Sequence, residues 1–125
     1  MLIDSNIIIY AAMPEHQWLR DFIAEHAPAV SAVSYVEVLG YHRLTDDARK
    51  YFEEFFAASE ILPISGDVLV DAVRLRQTKK TSLGDALIAA TARVNDLVLV
   101  TRNNGDFEWI QGLRVLNPFS DKSPR

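Results

Sequence analysis

The chain has no cysteine among its 125 residues, which excludes a disulfide scaffold, thiolate metal sites and cysteine nucleophiles together. Any metal it binds must sit on oxygen or imidazole. No run approaches the roughly 20 apolar residues of a membrane span, and the N-terminus lacks the basic lead of a secretion signal, so a cytoplasmic protein is expected. Positive charge is also short. A net charge of -4 argues against a protein that coats nucleic acid by charge alone, though not against one that holds phosphates through bound cations. Internal repeats and low-complexity segments are missing too. What is present is 49% hydrophobic residues in 125, enough for a real core in a chain too short for two domains, which predicts one compact domain over 1–118 and a polar tail over 119–125.

The most informative stretch is Ser82 to Phe107, SLGDALIAATARVNDLVLVTRNNGDF. Leu83, Leu87, Ala90 and Val94 recur at helical spacing, so Ser82 caps a nearly buried helix that stops at Asn95-Asp96. Leu97–Val100 follows as a buried strand, and Thr101–Asp106 is the loop beyond its carboxyl end. In open α/β sheets ligands bind at that edge, and the loop delivers Asp106 there.

The same alternation runs through the rest of the chain. Leu2-Ile3 is a minimal strand with Asp4 at its end, and Ile7–Ala12 a short helix stopped by Pro14. Pro14–His26 is a second helix with Trp18, Leu19, Phe22 and Ile23 on one face. Ala29–Ala32 is a weak strand, after which Ser34 starts a helix with Val36, Leu39 and Tyr41 inward and Glu37 in its first turn. Thr45 caps a helix with the stripe Ala48, Tyr51, Phe52, Phe55 and Phe56. Ile61–Ile64 is a third strand, Ser65-Gly66-Asp67 opens a helix carrying Val68, Leu69, Ala72 and Val73, and Leu113–Leu116 is a last strand before a polar, partly disordered tail from Asn117. This pattern predicts the α/β class: a three-layer α/β/α sandwich on a parallel sheet of four to five short strands.

Four carboxylates fall where this topology converges: Asp4, Glu37, Asp85 and Asp106. Each has an ordinary alternative. Ser34-x-x-Glu37 and Ser82-x-x-Asp85 fit or nearly fit capping boxes, Asp4 suits a helix N-cap, and Asp106 after Gly105 suits a turn. Taken singly, capping outranks catalysis for Glu37 and Asp85. Taken together, four clustered acids repel one another and favour holding protons, unless a divalent cation offsets the repulsion. Mg²⁺ and Mn²⁺ take oxygen ligands and serve phosphoryl chemistry, which makes phosphodiester hydrolysis the reaction class that fits.

Asp4-Ser5-Asn6 after an N-terminal strand, Glu37 on an early helix, Asp85 within Ser82-Leu83-Gly84-Asp85-Ala86-Leu87-Ile88-Ala89-Ala90, and Thr101-x-Asn103-x-x-Asp106-Phe107 together resemble a PIN domain. The likeness is to the VapC type, the ribonuclease toxins of bacterial and archaeal toxin–antitoxin pairs, and spans residues 1 to about 118. It implies an endoribonuclease dependent on Mg²⁺ or Mn²⁺, with Asp4, Glu37, Asp85 and Asp106 as its acidic quartet. Asp4 and Asp85 are then metal ligands, with Asp106 an outer ligand or the site of a second ion. Glu37 holds or deprotonates the attacking water, and Asn6, Thr101 and Asn103 support the acids. It also implies a homodimer, and an antitoxin whose C-terminal segment wraps the toxin and blocks the site.

Weaker signals remain. His16, His26 and His42 do not match a metal spacing and suit surface or cap roles. Arg43, Arg74, Arg76, Lys79, Lys80, Arg93 and Arg102 are candidates for RNA phosphates, with Arg102 the first to test because it adjoins a strand end; for any one of them a solvated face is the simpler reading. Phe107 and Trp109 are candidates for base stacking, Phe107 being better suited to anchoring its loop in the core. The aromatic residues of the Pro14–His26 and Thr45–Ala58 helices suggest a groove for an antitoxin helix. Two other readings compete: a catalytically idle binding module on the same fold, and a phosphotransferase with Asp4 as nucleophile, which would want a second acid at the position Asn6 holds.

Overall fold

The computed structural model describes residues 1–121. Five short strands, β1 (Leu2–Ile3), β2 (Ala29–Ser31), β3 (Ile61–Leu62), β4 (Leu99–Val100) and β5 (Val115–Leu116), form one all-parallel sheet in the order β3-β2-β1-β4-β5. Helices cover both faces: α1 (Ser5–Ala11), α2 (Gln17–His26), α3 (Ala32–Leu39), α4 (Asp46–Ala57), α5 (Gly66–Thr78), α6 (Leu83–Val94) and α7 (Pro118–Asp121). This is the three-layer α/β/α arrangement read from the alternation of elements.

Alternating strand residues divide the core into two layers. Leu2, Ala29 and Leu99 pack with Val68, Ala72 and Leu75 of α5 and the small face of α6. Ile3, Val30 and Val100 pack on the opposite side with Ile7, Ile8, Leu19, Phe52 and Phe56. A two-residue strand makes few ladder bonds, so burial holds the sheet: each fully buried Leu, Ile or Val contributes roughly 1.5–3 kcal/mol. Ala86, Ala89, Ala90 and Ala92 are all buried, and their small side chains let α6 lie close to both α5 and the sheet. Arg93 fixes that contact from the side, donating from Nε and Nη2 to Asp71 of α5 at 3.0 and 2.8 Å and from Nη1 to the Gln111 carbonyl at 2.8 Å. It is therefore a structural cation, which removes it from the candidates for RNA.

Several local expectations change. Ser31, not Ser34, caps α3, its hydroxyl accepting from Val33 N–H at 3.1 Å. That moves Glu37 to the second turn and ends its capping-box reading. With the new phase Val33, Ser34 and Val38 face inward, while Val36 and Tyr41 are 68% and 53% exposed. On α5 the inward residues are Val68, Ala72 and Leu75, and Leu69 and Val73 face out beside Val70. Leu83 and Val94, at the two ends of α6, are exposed as well. Pro14–His16 is a 3₁₀ turn ahead of α2 rather than its first turn. Asp96 takes a left-handed backbone with φ 53° where α6 stops, a conformation Asp and Asn tolerate.

The start of the expected tail is ordered into α7, and Phe119 packs edge-on against Tyr10, His16 and Trp18. The remainder of that tail, residues 122–125, lies outside the described residues. Among the described residues no helix is long and apolar enough to cross a membrane.

Candidate active site

Sheet register sets the site. Ile3 pairs with Val100, so the next residue on each strand, Asp4 and Thr101, stand side by side where β1 and β4 end. This is also where strand order reverses, because β2 and β3 lie to one side of β1 and β4 and β5 to the other, and such switch points open a crevice at the carboxyl edge.

Asp4 is 5% exposed and is held at both oxygens. Oδ1 accepts from Ser5 N–H at 2.8 Å as the cap of α1, and Oδ2 accepts from the Thr101 hydroxyl at 2.8 Å. Capping and burial in the site therefore coexist in one residue. Thr101 Oγ1 in turn accepts from Asn103 N–H at 3.1 Å, which ties the following loop to the acid. Burial, with smaller pushes from the charges of Asp85 and Glu37, raises the Asp4 carboxyl to about 6 against the pull of these bonds.

Glu37 enters from α3 and is met by Ser5, whose hydroxyl donates to Oε1 at 2.6 Å. Ser5 Oγ also lies 2.8 Å from the buried Ser34 Oγ. A hydroxyl has one proton to give, so Ser34 is left to donate to Ser5 and the three form a relay ending on the carboxylate. The other oxygen, Oε2, lies over Gly84 at the start of α6, where a Cβ would fall 2.5 Å from it.

Asp85 sits in the first turn of α6, its N–H donating to Ser82 Oγ at 3.1 Å. Burial raises its pKa and the charge of Asp106 raises it further, while the bond with Ser82 lowers it and Glu37 adds a smaller upward push. Asp85 is thus the middle acid: it feels Glu37 and Asp106, and Asp4 feels it. Asp106 ends the 3₁₀ turn Asn104–Asp106 and faces an open cleft of about 560 Å³ that it lines with Asp85, Ser82, Arg76, Lys79, Lys80 and Trp109.

The four sequence-predicted acids therefore share one edge but do not meet at a point. Among the described residues no three acidic or imidazole groups stand close enough to ligate one ion, so the set Asp4, Asp85 and Asp106 is not a single ligand triangle. Asp106 shares the lining of the open cleft with Asp85. The donor set still fits Mg²⁺ or Mn²⁺, because Mg²⁺ keeps several waters and needs only one or two carboxylates.

The supporting residues divide. Asn103 reaches Thr101 through its backbone, the Asn104 side chain is committed to Asn117 at 3.2 Å, and Asn6 Oδ1 is buried with no hydrogen-bond partner. Arg102 does not line the cleft. Its guanidinium lies over the rings of Phe119 and Tyr10, 4.2 and 4.8 Å from their centres, an anchor for α7. His16 and His26 bond the carbonyls of Tyr10 and Phe22, and Phe107 is fully buried. Ser5, Ser34 and Gly84 are the residues sequence reasoning passed over. A serine on the apolar face of a helix, Ser34 between Val33 and Val38, was the available signal.

The model of the PIN domain family matches residues 1–112. Over 123 aligned residues, 91% of this chain and 90% of the relative, the sequence is 30% identical to ribonuclease VapC10 of Mycobacterium tuberculosis. Among solved structures, a toxin–antitoxin complex from Klebsiella pneumoniae contains a chain 30% identical that superposes with a TM-score of 0.75, covering 94% of this chain and 96% of that one. A chain of DNA-bound VapBC from Salmonella typhimurium superposes at 0.79 over 92% and 95% of the two chains, and at 21% identity it speaks for the fold alone. The strand order, the acids gathered at its switch point and a family match over most of the length agree: the chain belongs to the PIN domain family.

Proposed function

We propose that the chain is an endoribonuclease dependent on Mg²⁺ or Mn²⁺ and acts as the toxin of a toxin–antitoxin pair. One observation carries the reading: a buried Asp4 carboxylate, raised toward neutral pH, beside two further acids. Such a group is costly as it stands at pH 7 and is stabilised by a divalent cation. The relatives named as a ribonuclease and as toxin–antitoxin complexes support the substrate class and the biological role.

Asp4 and Asp85 would hold the cation, and Asp106 would serve as an outer acid or the site of a second ion. When bound, the cation stabilises phosphoryl charge and makes a water easier to ionise. Glu37, oriented by Ser5 and by its fit over Gly84, holds the attacking water and takes its proton. The water oxygen bonds to phosphorus as the bond to the 3′ oxygen breaks; the 3′ oxygen takes a proton from solvent and leaves as a hydroxyl, and the other product carries the 5′-phosphate.

Apolar cavities outside the sheet edge suit a partner helix. One of about 430 Å³ runs from Glu37 along Ile9, Val38, Tyr41, Leu44 and Phe52, and one of about 200 Å³ lies between α2 and α4 against Ile23, Tyr51 and Phe55. An antitoxin segment seated there would reach Glu37. The outward Leu69, Val70 and Val73 of α5 would be covered by a second copy in a homodimer.

The test is cleavage of a mixed RNA pool with Mg²⁺ or Mn²⁺ against EDTA, beside folded Asp4→Asn and Asp85→Asn variants. Cutting that needs the metal, fails in both variants and leaves 5′-phosphates is expected. Cutting that survives EDTA and both substitutions ends the metal mechanism, and no cutting together with no Mn²⁺ binding by the wild type returns the idle binding module.

A further inference from the structure

The acids account for only one wall of the cleft beside Asp85 and Asp106. The other is built from Arg76 near the end of α5, Lys79 and Lys80 after it, and Trp109 beyond the 3₁₀ turn. The ion pairs among the described residues are Arg49–Asp46, Arg93–Asp71 and Arg114–Asp96, so none of the three cleft cations is matched by a carboxylate. Arg76 Nε donates only to the Thr81 carbonyl, at 3.3 Å, and Lys79 Nζ lies 5.5 Å from the centre of the Trp109 ring. In a chain of net charge -4 this is a local surplus of positive charge facing the acids. Trp109 is fixed as well as placed: its Nε1–H donates to the Asp106 carbonyl at 2.9 Å and the ring is partly buried against the core. An aromatic plane is thereby locked three residues from an acid of the site.

We infer that this wall seats an unpaired nucleotide beside the scissile phosphate, its base stacked on Trp109 and the neighbouring phosphates on Lys79, Lys80 and Arg76. The inference rests on the ribonuclease reading and adds to it the side chains that seat the substrate. An exposed cation over an aromatic ring is a weaker contact than a stacked base. Lys79 is therefore free to leave the ring for a phosphate when a base arrives. A base in a duplex has both faces occupied by its neighbours, so only an unpaired base can stack on Trp109, with little preference among bases because each offers a flat face.

The sequence holds two tryptophans, so a Trp18→Phe, Asp4→Asn protein reports on Trp109 alone and does not consume its RNA. Titrated in Mg²⁺ with a short single-stranded RNA, its fluorescence is expected to quench saturably, and the same RNA annealed to its complement to bind about tenfold or more weakly. Lys79→Gln with Lys80→Gln should weaken single-strand binding about tenfold and flatten its dependence on salt. In otherwise wild-type enzyme, Trp109→Leu should raise KM and leave kcat nearly unchanged. No quench by any RNA, or equal quench by strand and duplex, overturns the inference. RNA cutting with Trp109 silent and KM unmoved discards this wall and leaves the ribonuclease reading intact, whereas quenching without any cutting by wild type does the reverse. If Trp109→Leu fails to fold, the lysine variants and the duplex comparison decide alone.

Discussion

Gly84 lies under Glu37 so closely that a methyl group on it would stand 2.5 Å from Oε2. The carboxylate from α3 reaches α6 because that position has no side chain. Gly84→Ala sets two effects against each other. Alanine favours a helix over glycine by roughly 0.5–1 kcal/mol, so the melting temperature should hold or rise. Displacing the carboxylate by a few tenths of an ångström or more should cut RNA cleavage by about ten- to a hundredfold. A variant that melts normally and cleaves at the wild-type rate would show that the placement of Glu37 does not matter.

Ser5 offers a second handle on the same acid. Ser5→Ala removes the donor to Glu37 Oε1 and leaves the buried Ser34 hydroxyl without its partner, so stability should fall by about 1–3 kcal/mol. Cleavage should fall several-fold in kcat with KM nearly constant, since the bond orients a proton acceptor rather than the substrate. A change confined to KM would move Ser5 out of that role.

Protonation of Asp4 makes metal binding depend on pH. Its folded pKa of about 6 lies above its ordinary 3.8, so the folded chain takes up a proton that the unfolded chain does not between those values. For this group stability rises as pH falls through 6 and is fully gained below 3.8, with a span of about 3 kcal/mol. A cation must displace that proton, so Mn²⁺ affinity measured calorimetrically should be about tenfold lower at pH 5 than at pH 7. In Asp4→Asn the affinity should be low and flat across the same interval. An equally steep pH dependence in that variant would assign the proton to another group.

The outward apolar stripe of α5 predicts assembly. Leu69→Glu with Val73→Glu places charge on positions about half exposed in the single chain, where it costs little, and inside the contact of a homodimer, where it costs much. Light scattering should report a dimer for wild type and a monomer of unchanged melting behaviour for the double variant.

Much of this fold was legible because strand and helix lengths, caps and strand-end acids leave local marks. Thr45, Ser65 and Ser82 all cap the helices their positions announce. The failures have a common cause, since periodicity records which residues are apolar and not what lies across from them. In Ala29-Val30-Ser31-Ala32-Val33-Ser34 the triplet repeats, and either serine makes a plausible cap. The choice fell to Ser31 because Ser34 is needed inside, against Ser5. Arg102 sat beside a strand end as expected, yet its guanidinium was claimed by Phe119 from a segment that composition alone marked as tail. Gly84 carries no signal in one sequence, because a glycine in a helix reads as a weakness until its neighbour is known.

The bond from Thr101 to Asp4 spans 97 positions, because the first strand made is the middle strand of the sheet. A chain leaving the ribosome thus presents Asp4 early, with one flank of its strand bare until β4 arrives. The catalytic edge closes only after α6 has delivered Asp85 and the loop beyond β4 has delivered Asp106. On the ribonuclease reading proposed above, a copy that stops before Asp106 would lack part of that edge and should not cut RNA.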